Sequence, residues 1–162
     1  MGPPGSETIV VDLIVPATGQ GVVSLLARDS SDRRRSSYRI NLDRSDYQQL
    51  KNIVSKAQQA KDEFDTMLKR EMPVDSEVEV RLGLLGEPRA RMGFYFVAGA
   101  GHPPLLAIVA GDPSDHRKSN IPVLLPFDDP NGFEAFEAVL KKTEQKIAEI
   151  LAKGHHPNGL LK

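Results

Sequence analysis

The apolar positions of this chain follow two periods, and the switch from one to the other divides it into two similar units. In Tyr38-Arg39-Ile40-Asn41-Leu42 every second residue is apolar, the period of a half-buried strand. Asp43 or Ser45 can then cap a helix, and Tyr47, Leu50, Val54, Ala57, Phe64 and Leu68 fall on one helical face. That spacing predicts a helix from about Arg44 to Glu71, closed by Pro73. The same grammar returns at Ile121-Pro122-Val123-Leu124-Leu125. A turn over Pro126-Phe127-Asp128-Asp129-Pro130 follows, then a stripe of Phe133, Phe136, Leu140, Ile147, Ile150 and Leu151. Asp128 or Asp129 can cap this second helix, with Pro130 tolerated in its first turn. A strand running into a capped helix thus occurs twice, the mark of a duplicated unit.

Shorter alternations precede each of these pairs. Glu7 to Val15 and Gly21 to Arg28 read as strands on either side of the proline–glycine turn at residues 16–21. An arginine-rich connection leads from there to Ser36. In the second unit Val74 to Leu84, Met92 to Gly99 and Leu105 to Ala110 read as strands. The last of these is apolar on both faces, as suits a strand covered on both sides or one at a subunit contact. The connections are too short for parallel crossovers. The predicted class is therefore α+β: two βββ(β)α repeats, with curved antiparallel sheets and long amphipathic helices packed on one face. Residues 1–6 read as a flexible lead or tag, 7–72 as the first repeat, 73–153 as the second and 154–162 as a tail, all in one integrated domain.

Composition narrows the function. No cysteine is present, which excludes disulfides, thiolate metal sites and a cysteine nucleophile, and fits a reducing, intracellular compartment such as the cytoplasm. A net charge of −1 argues against indiscriminate adhesion to polyanions. The balance is uneven, however, since Arg28 to Arg44 holds six arginines against three aspartates, including Arg33-Arg34-Arg35. The chain carries neither an apolar run long enough to span a bilayer nor a secretion signal, so no membrane partner is expected.

Strand parity separates a core face from an open one. With Ile40, Leu42, Val78, Val80, Phe94 and Phe96 directed at the helices, the open face carries Asp12, Ser24, Arg28, Arg39, Asn41, Glu77, Glu79, Arg81, Arg91 and Tyr95. Such a surface suits an extended single strand of nucleic acid, with guanidiniums on phosphates and Tyr95 stacking on an unpaired base. Arg33, Arg34 and Arg35 lie in a loop beside it. It equally suits a solvated sheet face laced with cross-strand ion pairs. Tyr38 shares parity with Ile40 and is assigned to packing.

Other constellations point to ordinary structure. Gly99-Ala100-Gly101 is a hairpin signal without a following helix. His102, His116, His155 and His156 lack carboxylates at ligand spacing, so neither a metal nor another cofactor is expected. Asp112, Asp115 and His116 form an acid–histidine cluster that loop composition explains as well. No Ser–His–acid arrangement is present, and a non-enzymatic role is expected.

Gly21-Val22-Val23-Ser24-Leu25-Leu26, an interrupting polar loop, then Tyr38-Arg39-Ile40-Asn41-Leu42 and its helix resemble the first repeat of the Whirly and Pur-type single-stranded nucleic-acid-binding proteins. Gly93-Phe94-Tyr95-Phe96-Val97, followed by Ile121-Pro122-Val123-Leu124 and a helix bearing Phe133 and Phe136, resembles the second. The resemblance spans most of residues 7 to 152. It implies sheets that cover single-stranded DNA or RNA, helices packed inside and a homo-oligomer. A protein-interaction module, oligomeric through its sheet and helix faces, is the alternative, favoured by the acidic pI and by Glu77 and Glu79 on the open face.

Overall fold

A computed structural model describes residues 7–14, 20–29, 37–68, 76–87, 89–99, 101–112, 120–152 and 158–159. Strands β1 (Glu7–Ile14), β2 (Gln20–Asp29) and β3 (Ser37–Leu42) form an antiparallel meander. Helix α1 (Arg44–Glu63) follows directly. A second antiparallel meander joins β4 (Glu77–Glu87), β5 (Ala90–Gly99), β6 (His102–Gly111) and β7 (Ile121–Pro126), and α2 (Phe133–Ala152) follows. The protein is α+β, two antiparallel sheets each followed by a helix that packs on sheet. Within the expected tail, β8 (Asn158–Gly159) pairs in parallel with Gln20 and Gly21 of β2.

The alternation that predicts β3 is obeyed, with Tyr38, Ile40 and Leu42 buried and Arg39 and Asn41 exposed. Register extends that parity across both sheets. Val23 pairs with Leu42 and Leu25 with Ile40, while Phe94 pairs with Ile108, which pairs with Val123. These inward rows join Leu50 and Ile53 of α1 and Phe133, Phe136 and Leu140 of α2 in one hydrophobic core. Each large side chain so buried contributes about 1.5–3 kcal/mol. The helices tie the units together, because α1 lies against β3, β4 and β5 while α2 lies against β1 and β7. The Tyr47 hydroxyl donates to the Leu140 carbonyl at 3.3 Å and Lys51 pairs with Glu144 at 2.8 Å, linking helix to helix.

Three local expectations are corrected. Regular helix in α1 stops at Glu63 and widens into a π-helical turn over Phe64–Leu68. There Phe64 is held in the core beside Phe96, while the Thr66 hydroxyl bonds the Asp62 carbonyl at 2.9 Å and competes for the helical ladder. Residues 69–75 lie outside the described residues. Asp129 does not cap α2. Its carboxylate accepts from Asn131 N at 2.9 Å and its carbonyl accepts from Gly132 N, which closes a turn ahead of the helix. The first helical bond instead runs from Phe136 N to the Gly132 carbonyl, and a Cβ on Gly132 would lie 2.4 Å from Pro126 O. The chain doubles back so tightly on the end of β7 that the helix starts only once it has cleared the strand. Val80 shares the inward parity of its partner Phe96 yet is 41% exposed on the edge strand β4. At a bulge between Arg81 and Gly83 the same strand buries Leu82, and beyond it Leu85.

Candidate nucleic-acid interface

The outer face of the second sheet reads as rows across the strands. Arg81 lies opposite Tyr95, Tyr95 opposite Ala107, and Ala107 opposite Leu124. The adjacent row runs from Leu84 through Gly93 and Val109 to Pro122. Tyr95 leans along its own strand, so that Cε2 and Oη sit 2.9 Å from where a Cβ on residue 93 would be. Glycine at 93 therefore leaves room for the half-buried ring to lie on the sheet. Arg91, on the same face of β5, is also half-buried, and Arg81 is exposed. No ion pair between described residues engages Arg28, Arg81 or Arg91.

The remaining described candidates belong to the other sheet. Arg28 is exposed and lies opposite Ser37 on one side and Thr8 on the other. Arg39 reaches across its own sheet, where Nη1 donates to Ser24 Oγ at 2.6 Å and helps to bury that serine completely. Ser24, expected on an open polar surface, is thus covered, as is Leu26 with the same parity. The ten open-face residues therefore divide between two sheets that share no strand pairing. Arg81, Arg91 and Tyr95 fall on one, Arg28 and Arg39 on the other. Arg33, Arg34 and Arg35, and the side chain of Asp12, lie outside the described residues.

The second sheet's open face is also less polar than parity suggests. Its β4 edge carries Glu77, Glu79 and Arg81, whereas Val97, Leu105, Val109, Pro122 and Leu124 make its β5–β7 half apolar, with Leu124 56% exposed. The one legible sign was the run Leu105 to Ala110, apolar on both faces. Gly93 was missed, since nothing in the sequence says which neighbour a glycine makes room for.

Burial, with Glu144 nearby, pushes the Tyr47 phenol up to about 12. Burial and then the neighbouring Asp43 raise the Asp46 carboxyl. Asp112 is buried, while Asp115 and His116 lie outside the described residues. Among the described residues no group of three or more His, Cys, Asp or Glu could hold a metal ion. No described helix is long and apolar enough to cross a membrane. Comparison with protein-family models, curated proteins and solved structures finds no match to this chain.

Proposed function

We propose that this chain is a non-enzymatic protein that binds single-stranded nucleic acid on the outer face of its second sheet. Tyr95 would serve as the stacking platform and Arg81 and Arg91 as phosphate partners. The observation that carries the reading is the Tyr95 ring lying over Gly93, directly opposite Arg81 on the neighbouring strand. A tyrosine laid on a sheet offers one face to an unpaired base, worth roughly 1–3 kcal/mol, whereas a base inside a duplex is already stacked on its neighbours. Arg28 and Arg39, with Arg33, Arg34 and Arg35, would add charge from the first unit.

Titration of labelled single-stranded oligonucleotides at low and physiological salt tests the proposal. Micromolar binding that weakens with salt is expected, with a logarithmic slope of roughly −1.4 if two phosphates are neutralised. Tyr95→Ala should weaken it at both salts, and Arg81→Glu with Arg91→Glu should weaken it more than Arg28→Glu. Absence of binding at micromolar protein in both buffers would end the proposal. The apolar β5–β7 half of the same face favours a second reading, an oligomeric protein-interaction module. Size-exclusion chromatography with light scattering, together with indifference to oligonucleotides, would select it.

A further inference from the structure

The surroundings of the Tyr95 ring are divided by chemistry. Along β5 the ring points toward Gly93, and Arg91 follows two residues further on the same face. Across the strands Arg81 lies opposite Tyr95. Guanidiniums therefore belong to the two ends of the ring. The flanks are different. Gly93, beneath the ring, lies opposite Leu84 on β4 and Val109 on β6, and Val109 lies opposite Pro122 on β7. None of these residues has a polar side-chain atom. Leu84 is 38% exposed, Val109 half-buried and Pro122 exposed, so the outer sheet surface beside the ring is carbon. With strands about 4.8 Å apart, Leu84 and Val109 both flank whatever is laid on the ring.

A pyrimidine stacked there has edges of unequal polarity. Its Watson–Crick edge carries the ring's hydrogen-bonding groups, which lose water and gain no partner against carbon, so that edge stays toward solvent. The C5–C6 edge is the apolar one and is the edge that fits a flank made of Leu84 or of Val109 and Pro122. A methyl group at C5 extends that contact, as apolar side chains do when they meet the thymine methyl.

We infer that the Tyr95 seat selects pyrimidines methylated at C5, thymine and 5-methylcytosine, over uracil and cytosine. The ligand class is then a single strand bearing thymine, read through a methyl group by Leu84, Val109 and Pro122. This rests on the reading of Tyr95 as a stacking platform and adds what that platform distinguishes. Stacking alone is tolerant of sequence, because every base has a face. Discrimination comes from the carbon beside the ring.

The test uses fluorescence anisotropy with the full chain and two pairs of labelled strands of equal length. Oligodeoxythymidylate is compared with oligodeoxyuridylate, and the 5-methyldeoxycytidine oligomer with the deoxycytidine oligomer. Within each pair only the methyl differs, so charge, sugar and length cancel. The methylated strand should bind about fourfold tighter, the worth of one buried methyl group. The Leu84→Ser, Val109→Thr double variant, its fold checked by circular dichroism, should bring both ratios close to one. Leu84→Ser alone, at an exposed position, should lower them part of the way and decides the matter if the double variant fails to fold. The inference is overturned if either unmethylated strand binds as tightly as its methylated counterpart, or if the ratios survive these substitutions. Binding without discrimination overturns it while the proposed function stands, whereas no binding of any of these strands at micromolar protein ends both.

Discussion

The two units solve the same problem with different local devices. In the first, β3 passes into α1 through Asp43 alone, whose carboxylate accepts from Asp46 N at 2.8 Å while its carbonyl accepts from Tyr47 N at 2.9 Å. In the second, β7 reaches α2 only after the turn of residues 127–132, because Gly132 is pressed against Pro126. Their outer faces show a shared device with different chemistry. A long side chain lies over a small one in each, Arg39 over Ser24 and Tyr95 close against Gly93. In the first sheet this engages the cation with its own strand neighbour, and in the second it lays an aromatic ring on the surface. Equivalent strand patterns therefore do not make equivalent surfaces, since the identity of a single small neighbour decides what the large residue can offer.

The largest expected effect tests whether the units are energetically one. Phe94→Ala, in the second sheet, should cost about 3–5 kcal/mol, and Leu25→Ala, in the first, about 2–5 kcal/mol. Because one core joins the two, each variant should unfold in urea as a single transition followed identically by fluorescence and circular dichroism. Two separable transitions would break the picture of a shared core.

The helix starts give the next contrast. Gly132→Ala should cost about 1–3 kcal/mol, since its Cβ meets backbone rather than a movable side chain. Asp43→Ala should cost about 0.5–2 kcal/mol through the lost cap, while Asp129→Ala, which caps only a turn, should cost less than Asp43→Ala. Equal losses for the two aspartates in chemical denaturation would show that the starts are equivalent after all.

The smallest effect concerns the link between the helices. Tyr47 holds its proton in the folded state up to about 12, against the ordinary tyrosine value of 10.0. Between those values the unfolded chain has released a proton that the folded chain retains. Stability is then fully present below pH 10 and falls as pH rises toward 12. Tyr47→Phe should cost about 0.5–1.5 kcal/mol at neutral pH and flatten this alkaline decline, as measured by urea midpoints across the range.

Much of this architecture is legible in the sequence. The inward set Tyr38, Ile40, Leu42, Phe94 and Phe96 follows from alternation, and Leu50, Val54 and Ala57 follow from helical spacing. The failures share a cause. The widening of α1 into a π turn goes with Phe64 meeting Phe96, the late start of α2 with Gly132 meeting Pro126, and the burial of Ser24 with a guanidinium from the next strand. The candidate arginines were equally visible as residue types, yet alternation is a rule within one strand and is silent about which sheet a strand joins.

Periodicity, punctuation and charge determined the element order, the α+β class and the inward faces, because each is set by residues within a turn or two of one another. The division of the arginines between two sheets and the seat for Tyr95 came only with the folded chain. Those features are distances between segments far apart in sequence, created when the shared core closes and readable only from where it brings them to rest.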